Sequence, residues 1–124
     1  MSVRVTGVTF DCADPDRVAA FWADALAWEK HGHFVVPPDG GPGLEFMQVP
    51  EDKTVKNRVH LDLHADDLDA EIERLVGLGA SIAWEEHFPK GWPYRNVVLR
   101  DVEGNEFCLG NGDPDEVKRL LGLE

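Results

Sequence analysis

The chain has 124 residues, 43% of them hydrophobic, which is the size of one domain with enough apolar surface to bury its own core. Its 24 acidic and 12 basic residues leave a formal charge of −12, which repels phosphate backbones and anionic lipid surfaces and argues against nucleic acid and membranes as partners. No apolar run approaches the roughly 18 residues of a bilayer span, and Met1-Ser2-Val3-Arg4 opens no signal-peptide stretch, so a cytoplasmic protein with Cys12 and Cys108 reduced is expected.

Residues 8–12 are rich in β-formers and run into Asp14-Pro15, an N-cap followed by proline at the first helical position. Val18, Phe21, Trp22, Ala25 and Leu26 then recur at i, i+3, i+4, i+7 and i+8, which predicts a helix with one apolar stripe and Trp22 in the core. Residues 28–36 alternate charge and bulk around Gly32-His33 and predict a hairpin. The proline- and glycine-rich stretch 37–43 is a loop, and 44–49 is a closing strand. A polar linker, 50–57, carries Lys53 and Lys56, which with Arg58 just beyond it are expected to neutralise Glu51 and Asp52, the alternative being that they steer an anionic group.

The pattern then restarts. Residues 58–64 predict a strand, Asp66 or Asp67 caps a second helix, and Leu68, Ile72, Leu75 and Val76 supply its buried face. Strands follow at 81–86, 96–100 and 106–109, with Ile82 and Trp84 expected on one apolar face. The loop 88–94 holds Trp92 and Tyr94, aromatics placed either to close over a flat ligand or to pack on a second subunit. Asp113-Pro114 starts a terminal helix with Val117, Leu120 and Leu121 on its inner side. His31, His33, His64 and His87 show no ligand spacing and read as surface residues.

The restart is an internal repeat. Val8 to Asp14 lies on Leu61 to Asp67, and Gly43 to Met47 lies on Gly104 to Cys108, so each half reads β-α-β-β-β. That doubled order, Phe21-Trp22 in the first helix, the strand entry Lys56-Asn57-Arg58-Val59-His60-Leu61-Asp62-Leu63 and the turn Asp101-Val102-Glu103-Gly104-Asn105 resemble the vicinal oxygen chelate superfamily. The likeness runs over residues 5–110 and is nearest to the glyoxalase-like and bleomycin-resistance-like branches. It implies an α+β fold of two βαβββ modules, about 5–49 and 58–110, forming one curved, partly open mixed sheet with helices outside, followed by a C-terminal helix at about 114–122. It also implies a homodimer.

In metal-using members of that superfamily the ligands come from four strand positions, which map here to Gly7, Met47, His60 and Cys108. Only His60 is an ordinary ligand for a hard or borderline divalent ion, so no cofactor and no metal ligands are expected. A salvage arrangement keeps His60 and Cys108 and recruits Asp62 or Glu106, but residues two apart on a strand have Cβ atoms nearly 7 Å apart, which demands reach.

Strand alternation places the candidate site. His60, Asp62 and His64 share the face opposite Val59, Leu61 and Leu63, Glu106 and Cys108 oppose Phe107 and Leu109, and Thr9, Asp11, Glu45 and Met47 oppose Phe10 and Phe46. The expected function is metal-independent binding of a small organic molecule, cationic or planar such as an antibiotic, by Thr9, Asp11, Met47, His60, Asp62, Trp92, Glu106 and Cys108. The alternative is a lyase, isomerase or epimerase of the glyoxalase type in which His60 with Asp62 or Glu106 serves as acid and base, with or without a divalent metal. Cys108 has no neighbour in sequence that lowers its pKa and reads as inert.

Overall fold

The computed structural model describes residues 2–86, 91 and 93–123. The chain forms two compact units, one of Met1–Val55 with Asp101–Gly104 and one of Lys56–Arg100 with Asn105–Glu124. Each carries its own four-stranded mixed sheet.

In the first unit the order is β1 (Gly7–Cys12), α1 (Pro15–Leu26), β2 (Glu29–His31), β3 (Phe34–Val36) and β4 (Gly43–Gln48). The sheet order is β1-β4-β3-β2, with β1 parallel to β4 and the remaining pairs antiparallel. Helix α1 starts where Asp14 accepts a hydrogen bond from the Arg17 N–H, with Pro15 in the first turn, and ends at Ala27, whose φ of 55° turns the chain into the hairpin. Its stripe behaves as the periodicity predicts: Val18, Phe21, Trp22 and Ala25 are buried. Phe10 packs on Trp22 and Phe46 with centroids 6.0 and 5.2 Å away, tying helix to sheet.

The 101–104 turn completes this core. Trp22 Nε1 donates to Asp101 Oδ2 at 2.9 Å, and both residues are buried. The Asp101 Oδ1 accepts from the Glu103 N–H, and Glu103 in turn accepts from the backbone N–H groups of Ala13 and Asp14 at 2.7 and 2.6 Å. A carboxylate therefore covers amides just ahead of α1 that have no strand partner.

The second unit contains β5 (Asp62–His64), α2 (Leu68–Gly77), β6 (Ser81–Glu86), β7 (Asn96–Arg100), β8 (Glu106–Gly110) and α3 (Pro114–Leu120). The sheet order is β5-β8-β7-β6, again with one parallel pair, β5 with β8. Leu68 and Leu75 of α2 are buried, as are Val97, Leu99, Phe107 and Leu109.

Four local expectations change. The strand predicted over 58–64 is regular only from Asp62, because Val59 is 77% exposed and the Asn57 side chain, not a neighbouring strand, bonds the Val59 carbonyl. Ile82 and Trp84 do not share a face: the register slips between them, so Ile82 opposes Leu99 while Trp84 opposes Val98. Val76 is exposed, leaving α2 a narrower apolar face. Helix α3 buries none of its residues, and Leu120 and Leu121 are exposed.

Candidate functional site

The parallel pairing of β5 with β8 puts Asp62 directly opposite Cys108, so their side chains leave the same face of the second sheet. The Cys108 N–H donates to the Leu61 carbonyl at 2.9 Å, which extends the pairing one step toward His60. His60 sits just outside the ladder, where the backbone is free of the pleat, and its Nε2 lies 3.2 Å from Asp62 Oδ1. The ligand atoms of His60, Asp62 and Cys108 all fall within 4.8 Å of one another. The reach that a continuous strand would have denied them is supplied by the irregular 58–61 segment.

His60 and Asp62 are exposed and Cys108 is buried. Burial pushes the Cys108 thiol above its ordinary pKa, a hydrogen bond with Asn96 opposes this, and Asp62 and Glu86 raise it further. At neutral pH it is a thiol, and a cation among the three groups would favour the thiolate. Imidazole nitrogen, carboxylate oxygen and thiolate sulfur are together an ordinary donor set for a borderline divalent ion, so the residues fit such an ion.

Glu106 stands elsewhere. It is buried, its Oε2 accepts from the Asn57 N–H at 3.2 Å, and its backbone carbonyl accepts from Asn57 Nδ2 at 3.4 Å. This holds the chain three residues before His60, a positioning role, and the carboxylate is not in the group of three. In the first unit Thr9, Asp11 and Met47 are exposed on one face of the sheet, with Asp11 opposite Met47. Gly7 lies opposite Gly43 and brings no side chain. Trp92 and His87 lie outside the described residues.

A pocket of about 430 Å³ in the second unit shares Asp62 with the group. Its walls include His64, Tyr94, Asn96, Val117 and Leu121. His64 faces an acceptor at each ring nitrogen, Nδ1 lying 2.9 Å from the Gly112 carbonyl oxygen and Nε2 2.8 Å from Asp66 Oδ1, and the Asp66 bond raises its pKa. Tyr94 is tied to α3 through Glu116, whose carboxylate holds the phenol up at about 12. Asn96, His64 and Gly110 fall in one cross-strand row by register, a relation that no local sequence pattern announces. Val117 and Leu121 carried a signal, the inner side of the terminal helix, and the structure turns it toward a cavity.

The pattern of the glyoxalase-like domain family matches residues 7–110. Among solved structures, the chain is similar to the fosfomycin resistance protein FosX of Listeria monocytogenes complexed with Mn(II) and sulfate, at 18% identity over 98% of this chain and 99% of that one, with a TM-score of 0.77. FosX of Mesorhizobium loti gives 21% identity, 97% and 99% coverage and a TM-score of 0.69. A glyoxalase/bleomycin resistance protein/dioxygenase family enzyme of Burkholderia phytofirmans gives 16% identity, 87% and 98% coverage and 0.66. No curated protein matches the sequence. These identities speak to the fold alone.

Proposed function

The chain belongs to the glyoxalase-like domain family, and from that premise we propose that it binds a small organic molecule on the open face of the second sheet and transforms it, as a lyase or isomerase does, with a divalent ion held by His60, Asp62 and Cys108. The observation that carries this reading is the convergence of three chemically different donors within 4.8 Å. Of the four mapped positions only His60 and Cys108 remain as donors, and the salvage set that recruits Asp62 is a workable one. The Mn(II) complex of the similar FosX supports it by analogy.

Bound at these donors, a divalent ion supplies Lewis-acid polarisation of a ligand oxygen. The chain's own residues do the rest. Without the ion, His60 Nε2 rests 3.2 Å from Asp62 Oδ1, which keeps the two donors side by side, and Glu106, through Asn57, fixes the segment that presents His60. Asn96 holds the Cys108 sulfur in place. The pocket beside Asp62 takes the ligand's carbon skeleton against Val117 and Leu121.

A second reading keeps the protein metal-independent, with the His60–Asp62 pair as proton carrier or as part of a simple binding surface for a cationic or planar ligand. The net charge of −12 and the exposed Asp11 favour it. One experiment separates the two: elemental analysis of protein purified without a histidine tag or chelator, with thermal-shift scans across Zn(II), Co(II) and Mn(II). The expected result is near-stoichiometric metal and an ion-specific rise in Tm that His60→Ala and Cys108→Ser both abolish. A metal-free protein indifferent to all three ions would remove the ion and leave the second reading.

We also propose a cytoplasmic homodimer. Strands β1 and β5 stand at the ends of their sheets, and such edges are commonly covered by another chain. Light scattering after size exclusion should give twice the mass of 13.8 kDa, and a monomer at micromolar concentration would exclude it.

A further inference from the structure

Trp84 occupies the same cross-strand row as the site: Trp84 opposes Val98, Val98 opposes Cys108, and Cys108 opposes Asp62. The indole is thus on the open face, two strand spacings or about 10 Å from Cys108. It remains 38% exposed, and its N–H is turned aside to Glu86 at 3.2 Å, so the ring is presented as an apolar surface.

Two cations lie near this ring. Lys56 Nζ lies 5.5 Å and the Arg100 guanidinium 5.9 Å from its centroid. Neither makes an ion pair among the described residues, in a chain with twice as many acidic as basic groups. Of the two expectations for Lys56, neutralising Glu51 and Asp52 or steering an anionic group, its place at the indole favours the second. Arg100 has Glu106 as its cross-strand neighbour, but that carboxylate accepts from the Asn57 N–H. Two like charges at one aromatic ring repel each other, and the ring offsets this only in part. The Glu86 carboxylate occupies the N–H edge of the ring, so a further anion would sit beside the two cations rather than at that edge.

We propose that Lys56, Arg100 and Trp84 form a subsite for the anionic group of a small organic acid, a carboxylate or phosphate whose attached carbon skeleton lies along the indole toward Cys108. This names the ligand class for the function proposed above and rests on that reading for its link to His60, Asp62 and Cys108, while the subsite itself holds no metal ligand. The bidentate guanidinium takes two oxygens and the ammonium acts as a mobile point charge, a division suited to either anion. It also replaces the cationic ligand expected from net charge, because local charge at the ring opposes the global sign.

The test is an NMR titration of chelator-treated protein, following the indole N–H cross-peak of Trp84, assigned by its loss in Trp84→Phe. The probes are benzoate, inorganic phosphate and tetramethylammonium. A saturable shift with benzoate or phosphate, weakened about tenfold by Lys56→Gln and by Arg100→Gln, supports the subsite, and the stronger of the two anions identifies the group. His60→Ala and Cys108→Ser should leave that shift unchanged, so a failed metal reading does not touch this result. No saturable shift with either anion, a shift indifferent to both glutamine variants, or a saturable shift with tetramethylammonium alone would overturn it.

Discussion

Cys12 is 3% exposed, with its Sγ 3.5 Å from the Met47 carbonyl. Burial first, then the charges of Glu103, Asp101, Asp11 and Asp14, push its thiol from 9.0 up to about 11. The folded state therefore keeps a proton that the unfolded chain releases. Stability from this residue is fully present below about pH 9 and falls as pH rises toward 11, by up to about 3 kcal/mol at roughly 1.4 kcal/mol per unit. Urea unfolding of wild type and Cys12→Ala between pH 8 and 10.5 checks this: the variant should lose stability with a shallower slope, and parallel slopes would refute the assignment. Trp22 is a companion case. Trp22→Phe removes the donor to Asp101 and leaves a buried carboxylate short of one bond, which should cost about 2–4 kcal/mol in chemical denaturation, while a loss under about 1 kcal/mol would mean that water replaces the indole. That Trp22 belongs to the core was legible in the spacing of the helix stripe. Its partner was not, because Asp101 lies 79 residues away and only the fold brings them together.

At the scale of elements, boundaries followed from local chemistry wherever a cap or a turn residue decided them. Asp14, Asp67 and Asp113 cap the three helices, and Gly32, with φ of 61°, turns the first hairpin. Expectations that relied on uninterrupted alternation fared worse. Alternation places His60 in a strand and Ile82 beside Trp84, whereas the chain frays before Asp62 and slips between Ile82 and Trp84. His60 lies 3.2 Å from Asp62 just ahead of the regular strand, and past the slip Trp84 takes the face of Val98. A bulge costs little and leaves no residue signature, so sequence reading passes over it. Ala27 is the one non-glycine residue at positive φ among those described, in a position where a Cβ costs about 1 kcal/mol. Ala27→Gly should raise stability by about that amount, seen as a higher urea midpoint at constant m. Gly43 is the opposite case: a Cβ there would meet the Val35 carbonyl oxygen at 2.9 Å, backbone that cannot give without separating β3 from β4. Gly43→Ala should cost about 1–3 kcal/mol, and a neutral result would show that this end of the sheet is loose.

For the whole molecule, the surplus of 12 negative charges is spread over a chain of 124 residues. Among the described residues the cations are partly committed to local pairs, Arg95 with Glu85 and Asp69, Arg74 with Glu71 and Lys30 with Asp16, all with exposed side chains or nearly so. Exposed pairs of this kind contribute about 0–1 kcal/mol each and weaken in salt. The unpaired acidic surplus repels itself over a screening length of about 30 Å at 0.01 M salt, comparable to the size of the protein, and of about 8 Å at 0.15 M. Unfolding spreads these charges apart, so repulsion favours the unfolded chain most at low ionic strength. Screening should then gain more from the surplus than it loses from the pairs. Raising NaCl from 10 to 300 mM is expected to lift Tm by about 3–6 °C, close to 1 kcal/mol for a domain of this size. KCl should act equally, since the effect is one of ionic strength rather than of ion binding. A fall in Tm would mean that the ion pairs, few as they are, outweigh the surplus. The same salt series bears on the ligand. An organic acid approaches this acidic surface against the long-range field and is held by Lys56 and Arg100 only at short range, so moderate salt should speed its arrival while chloride competes for the seat. Its affinity should therefore vary less with NaCl than that of an anion bound by a uniformly basic protein.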